Sequence, residues 1–117
     1  MQTRHGFTTI ELLIVIIIIG ILAGIAIPRF IGSKRLAYIA SMQSDLRNMI
    51  SDAESKFAED GTYANYVTPN GSSGVTLKFA GTATRWAATA THAGVSGVVC
   101  HVERGSPEDS AGVPVCD

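Results

Sequence analysis

Charge is missing from one long stretch of this chain: between Leu12 and Pro28 there is no Asp, Glu, Lys or Arg. That run cannot be the surface of an ordinary soluble domain. Cysteine is scarce too, with only Cys100 and Cys116, and they lack the CxxC spacing of zinc and redox sites. After Arg29, Lys34 and Arg35 no run of Lys or Arg follows, and the net charge is −1. Composition therefore gives no case for specific nucleic-acid binding. His92, His101, Ser106 and Asp109 form no nucleophile–base spacing, and so small a chain can hardly build an enclosed pocket, so no enzyme is expected. No internal repeat, low-complexity tract or second domain is visible in the 117 residues.

What is present is concentrated at the start. Gly6 to Pro28 reads GFTTIELLIVIIIIGILAGIAIP. Phe7 to Ile27 is long enough to span a bilayer, which takes about 20 apolar residues as a helix. A Sec-type signal places its apolar stretch before a small-residue cleavage site, whereas here the small residue, Gly6, precedes it. A cut after Gly6 would discard the basic leader and keep the apolar segment; without a cut the segment is a signal anchor. Arg4 flanks one side and Arg29, Lys34 and Arg35 the other, so positive charge alone does not orient the span. Glu11 is the anomaly, because an unpaired carboxylate in a bilayer costs at least about 2 kcal/mol.

The helix is expected to continue without a break from Thr8 to about Glu59. Ile39, Met42, Leu46, Met49, Ile50, Ala53 and Phe57 recur at steps of three and four and form one apolar stripe. Gly61 is a natural stop. Thr62–Gly74 is rich in turn formers, VTLKF alternates with Val75, Leu77 and Phe79 on one face, and TRWAATAT and GVVCHVER read as two further strands. Val98, Cys100 and Val102 would share a face, and Trp86 belongs to the core. Turn signals at Gly81 and Ala93-Gly94 make an antiparallel meander the simplest topology. The fold class is thus α+β: one long N-terminal helix against a sheet of about three strands. The turn Gly105–Gly112 brings VPVC back so that Cys116 can reach Cys100. If this end lies outside the cytoplasm the two should form a disulfide, worth about 3 kcal/mol to so small a head; two free buried thiols are the alternative.

Gly6 followed by FTTIEL resembles the type IV prepilin signal, departing from the usual pattern only at Thr9. Pro28 stands where that family bends its helix, and SDLRNMISDAESKFAEDGTY, from Ser44 to Tyr63, resembles the helix end of short type IVa major pilins. The resemblance implies a filament subunit serving adhesion, motility or DNA uptake, with residues 1–6 as a cleaved leader, 7–28 as transmembrane and filament-core helix, 29–60 as the amphipathic half and 61–117 as the head. It implies cleavage by prepilin peptidase between Gly6 and Phe7 and N-methylation of Phe7. It also implies that Glu11 pairs with the terminal amine of a neighbouring subunit, as a registration device. The implied partners are other copies of the chain, the peptidase, the assembly platform and inner-membrane lipid. The precursor would lie in the inner membrane and the assembled subunit outside the cell; no cofactor is implied.

Several features carry two readings. Glu11 could instead snorkel to the interface. Gly20 and Gly24 serve close helix packing or, with Pro28, a flexible break in the filament, or are incidental small residues. Phe7, Phe30, Tyr38, Phe57, Tyr63 and Tyr66 are packing aromatics, or conceivably a conductive path. Glu108, Asp109 and Asp117 form a solvated acidic turn or offer oxygens to Ca²⁺, although a ligand-rich loop is absent. Asn70 opens an Asn-Gly-Ser triplet. A pseudopilin of a secretion or competence system, and an uncleaved bitopic protein with a periplasmic binding head, stand beside the pilin reading.

Overall fold

The computed structural model describes residues 1, 5–107, 109 and 112–117. Its chain divides into two compact units, Met1–Lys34 and Arg35–Asp117. Helix α1, Thr9–Asp60, runs through both.

In the first unit the helix carries an unbroken aliphatic surface. Ile10, Leu12 to Ile19, Ile21, Leu22, Ile25, Ile27 and Ile31 are all exposed. This is the only helix among the described residues long and apolar enough to cross a membrane. Gly20, Gly24 and Pro28 all lie within α1. Pro28 has no amide hydrogen, so the carbonyl of Gly24 lacks its usual helical donor, yet the helix continues.

The second unit is built on the stripe read from the sequence. Met42, Leu46, Met49 and Ala53 are buried, and Ile39, Ile50 and Phe57 pack at the margin of the same core. Gly61 ends the helix as expected: its φ is +68° and its N–H donates to the Phe57 carbonyl at 2.8 Å. The sheet follows as β1 (Val75–Gly81), β2 (Trp86–His92), β3 (Val95–Arg104) and β4 (Val115–Cys116), antiparallel throughout in the order β1-β2-β3-β4. Alternation puts Val75, Leu77 and Phe79 inward, with Trp86, Ala88 and Ala90 beside them and Val98, Cys100 and Val102 on β3. The small Ala88 and Ala90 share the core with the large side chains of Met42, Leu46 and Met49.

The sheet has four strands, close to the roughly three expected. Two residues are too few to show a period-2 pattern, and β4 exists because the Cys100–Cys116 disulfide holds it opposite β3. Backbone bonds between Val99 and Asp117, at 2.9 and 3.2 Å, extend that pairing to the last residue. The β2–β3 turn is tight. A side chain at Gly94 would run into the Tyr38 ring, and the Gly94 N–H donates to His92 Nδ1 at 2.8 Å.

Loop and helix are tied by polar contacts on two flanks. Asp45 accepts the Ser72 N–H and hydroxyl at 2.7 and 2.8 Å. The Tyr66 hydroxyl donates to Asp52 at 2.8 Å and approaches the Met49 carbonyl at 3.3 Å. On the other flank Glu54 accepts the Tyr63 hydroxyl at 3.0 Å and pairs with Arg104 at 2.6 Å.

Candidate functional site

The candidate site is the N-terminal segment. Gly6, Phe7 and Thr8 precede the helix, and Phe7 is 89% exposed. Nothing lies within 4 Å of the position a Cβ would take at Gly6. The Gly6–Phe7 peptide bond therefore has open space beside it. Arg4 lies outside the described residues.

Glu11 takes part in a contact that the sequence reading missed. Its Oε2 accepts the Thr8 N–H and the Thr8 hydroxyl, both at 2.9 Å. The Glu11 N–H in turn points to Thr8 Oγ1 at 3.3 Å. This is a capping box: Thr8 is the N-cap and Glu11 the third helical residue. The signal was present, because T-x-x-E before an apolar run is its sequence signature. In the single chain the carboxylate satisfies the first turn.

Gly20 and Gly24 have nothing within 4 Å of an added Cβ, so the face they open is unfilled in the single chain. Cys100 and Cys116 form the expected bond across a sequence separation of 16.

The structure scatters the remaining candidates. His92 stacks on Tyr38 with ring centroids 4.1 Å apart. His101 sits on the outer face, its Nδ1 3.4 Å from Asp117 Oδ1. Asp109 accepts the Gly105 N–H at 3.2 Å, and Asp109 N–H donates to the Ser106 carbonyl at 3.1 Å, closing the local turn. Glu108 lies outside the described residues. Among the described residues no three His, Cys, Asp or Glu side chains gather as a metal site. Asn70 is exposed. The head aromatics pack as a cluster: Phe57 stacks on Tyr63 at 4.3 Å, Phe79 on Trp86 at 5.8 Å, and Tyr66 meets Phe79 edge-on at 4.6 Å.

Burial and the Asp52 carboxylate push the Tyr66 phenol well above its ordinary value. Burial and Glu54 push Tyr63 up as well. Both are anchors that favour the neutral phenol.

The family model described as the prokaryotic N-terminal methylation motif matches residues 1–27. Over 68 residues the sequence is 39% identical to the type IV major pilin protein PilA of Myxococcus xanthus, covering 58% of this chain and 31% of that protein. The N-terminal segment of this chain is similar to those of type IV pilins and their relatives. The chain is also 38% identical over 69 residues to a fimbrial protein of Pseudomonas aeruginosa, covering 59% of this chain and 45% of the relative. It is 41% identical over 46 residues to the type II secretion system core protein G of Klebsiella pneumoniae, 39% of this chain and 33% of that one. The chain thus spans between 31% and 45% of the length of these curated relatives. By their names these relatives are pilus or secretion-system components rather than enzymes.

Proposed function

We propose that this chain is the major structural subunit of a type IV pilus, assembled from many copies of itself. The observation that carries the reading is the junction Gly6–Phe7 directly ahead of a capped helix whose first part, Thr9 to Pro28, presents an exposed apolar surface with Glu11 as its one acid. Such a surface needs lipid before assembly and other copies of the same helix afterwards. On this reading residues 1–6 are removed by prepilin peptidase and Phe7 is N-methylated. Residues 7–28 are inner-membrane anchor and then filament core, 29–60 continue the helix, and 61–117 form the surface head. The assembly platform lifts the subunit out of the membrane.

A pseudopilus subunit is the second reading, favoured by the match to core protein G. The pilin matches are longer, 68 and 69 residues against 46. The longer likeness to the pilins supports the pilus reading.

The test is the filament. Surface fibres sheared from cells expressing the chain are imaged, and their main subunit is measured by intact mass. The expected subunit begins at methylated Phe7. Fibres built from a chain that keeps Met1 to Gly6 would overturn the processing, and cells with only short envelope-bound assemblies would favour the pseudopilus.

A further inference from the structure

Between Glu11 and Asp45 the sequence holds no acid, yet it holds Arg29, Lys34 and Arg35. Neither Arg29 nor Lys34 has a carboxylate within three or four residues on the helix, the reach of an intrahelical ion pair. Phe30 and Ile31, next to them, are 62% and 65% exposed. Lys34 Nζ lies 4.9 Å from the Phe30 ring centroid, which holds the ammonium beside an apolar group.

Position along the first unit gives these charges a setting. From Thr9 to Arg29 the helix rises about 30 Å at 1.5 Å per residue, the thickness of a bilayer hydrocarbon core. Arg29 then stands at the boundary and Lys34 about one and a half turns beyond it, at headgroup depth. Around the axis the two are about 140° apart, since each residue turns 100°. Charges that far apart do not share one face, as a single docked protein would require. They suit a medium that surrounds the helix.

Their side of the membrane sharpens the argument. On the proposed pilin reading, on which this inference rests, the head is outside the cytoplasm. Arg29 and Lys34 then sit on the translocated side, against the usual bias of basic residues. Anionic lipid phosphates are the opposite charge available at that depth.

We propose that Arg29 and Lys34, with Phe30 and Ile31 seated at the hydrocarbon boundary, form a collar that selects anionic phospholipid headgroups around the unassembled subunit. The collar fixes the depth of the anchor. Assembly must then strip it of anionic lipid.

The test uses the full chain in nanodiscs of equal phosphatidylglycerol and phosphatidylcholine, with retained lipid counted by native mass spectrometry. Each basic side chain near an anionic surface contributes about fivefold in affinity, so a preference of roughly tenfold or more for phosphatidylglycerol is expected. Raising salt should weaken it. The double variant Arg29→Gln/Lys34→Gln should lose most of the preference, and Arg29→Lys/Lys34→Arg should keep it. Arg4 and Arg35 are common to all three chains and contribute equally. Equal retention of both lipids by the unaltered chain, or an unchanged preference in the glutamine variant, overturns the collar and leaves the pilin reading standing. A chain that alkaline extraction removes from the membrane overturns the pilin reading and the collar together.

Discussion

Thr8 and Glu11 cap the first turn of α1 reciprocally, the carboxylate taking two hydrogen bonds at 2.9 Å from one threonine. Glu11 therefore has a task in the single chain as well as the intersubunit pairing that the resemblance to prepilins implies. The two tasks separate by substitution. Glutamine can serve the cap but carries no charge, whereas alanine removes both.

Glu11→Gln should keep the helix content of the detergent-solubilised chain and still cut filament number at least about tenfold, the cost of losing roughly 1.4 kcal/mol of intersubunit pairing. Glu11→Ala should cut filaments similarly and also fray the first turn. Circular dichroism and filament counts by electron microscopy check both. Normal filament numbers with Glu11→Gln would mean that the cap, not the charge, is what assembly needs.

Cys116→Ser should loosen the end of the head. The disulfide closes a loop of separation 16 and holds Cys116 opposite Cys100, and the Val99–Asp117 bonds depend on that pairing. The expected loss is up to about 3 kcal/mol of head stability. Thermal melts with and without reductant measure it: the native chain should drop to the level of the variant on reduction, and the variant should not respond.

Tyr66→Phe should cost about 1 kcal/mol at neutral pH, because the hydroxyl bonds to Asp52 and to the Met49 carbonyl are lost. It should also blunt alkaline unfolding. A tyrosine whose folded pKa is raised contributes stability that is complete below its unfolded value, near 10, and is lost as pH rises through the higher folded value. Tyr63, raised by burial and Glu54, acts with the same sign. Chemical melts from pH 8 upward should show a shallower alkaline decline in Tyr66→Phe than in the parent chain.

The parts legible in the sequence were those written as periodicity. The stripe from Met42 to Ala53 and the alternation in β1 and β3 each repeat often enough to fix a face, and the structure buries those residues. Strand β4 was not legible because two residues have no period; a covalent bond places it. The Glu54–Tyr63–Arg104 cluster joins residues fifty apart and has no local pattern. The Thr8–Glu11 box is legible as T-x-x-E directly ahead of an apolar run.

In the single chain Gly20, Gly24 and Pro28 stay inside α1. Relative to alanine, each glycine weakens a helix by about 1 kcal/mol and an interior proline by about 3. In a bilayer this penalty is suppressed, since lipid offers no partner to a freed carbonyl or amide and each must bond within the segment. In a filament neighbouring helices replace lipid, and the small residues, with open space beside them, let backbones approach. The balance should then tip toward an extended stretch from Gly20 to Pro28. There the axial rise would grow from 1.5 toward about 3.3 Å per residue. Such a stretch lets a fibre lengthen under load while the heads keep their contacts. Replacing all three residues by alanine should restore a continuous helix in the fibre and make it stiffer in single-filament pulling. A filament map of the native chain with unbroken helical density from Thr9 to Asp60 would rule the stretch out.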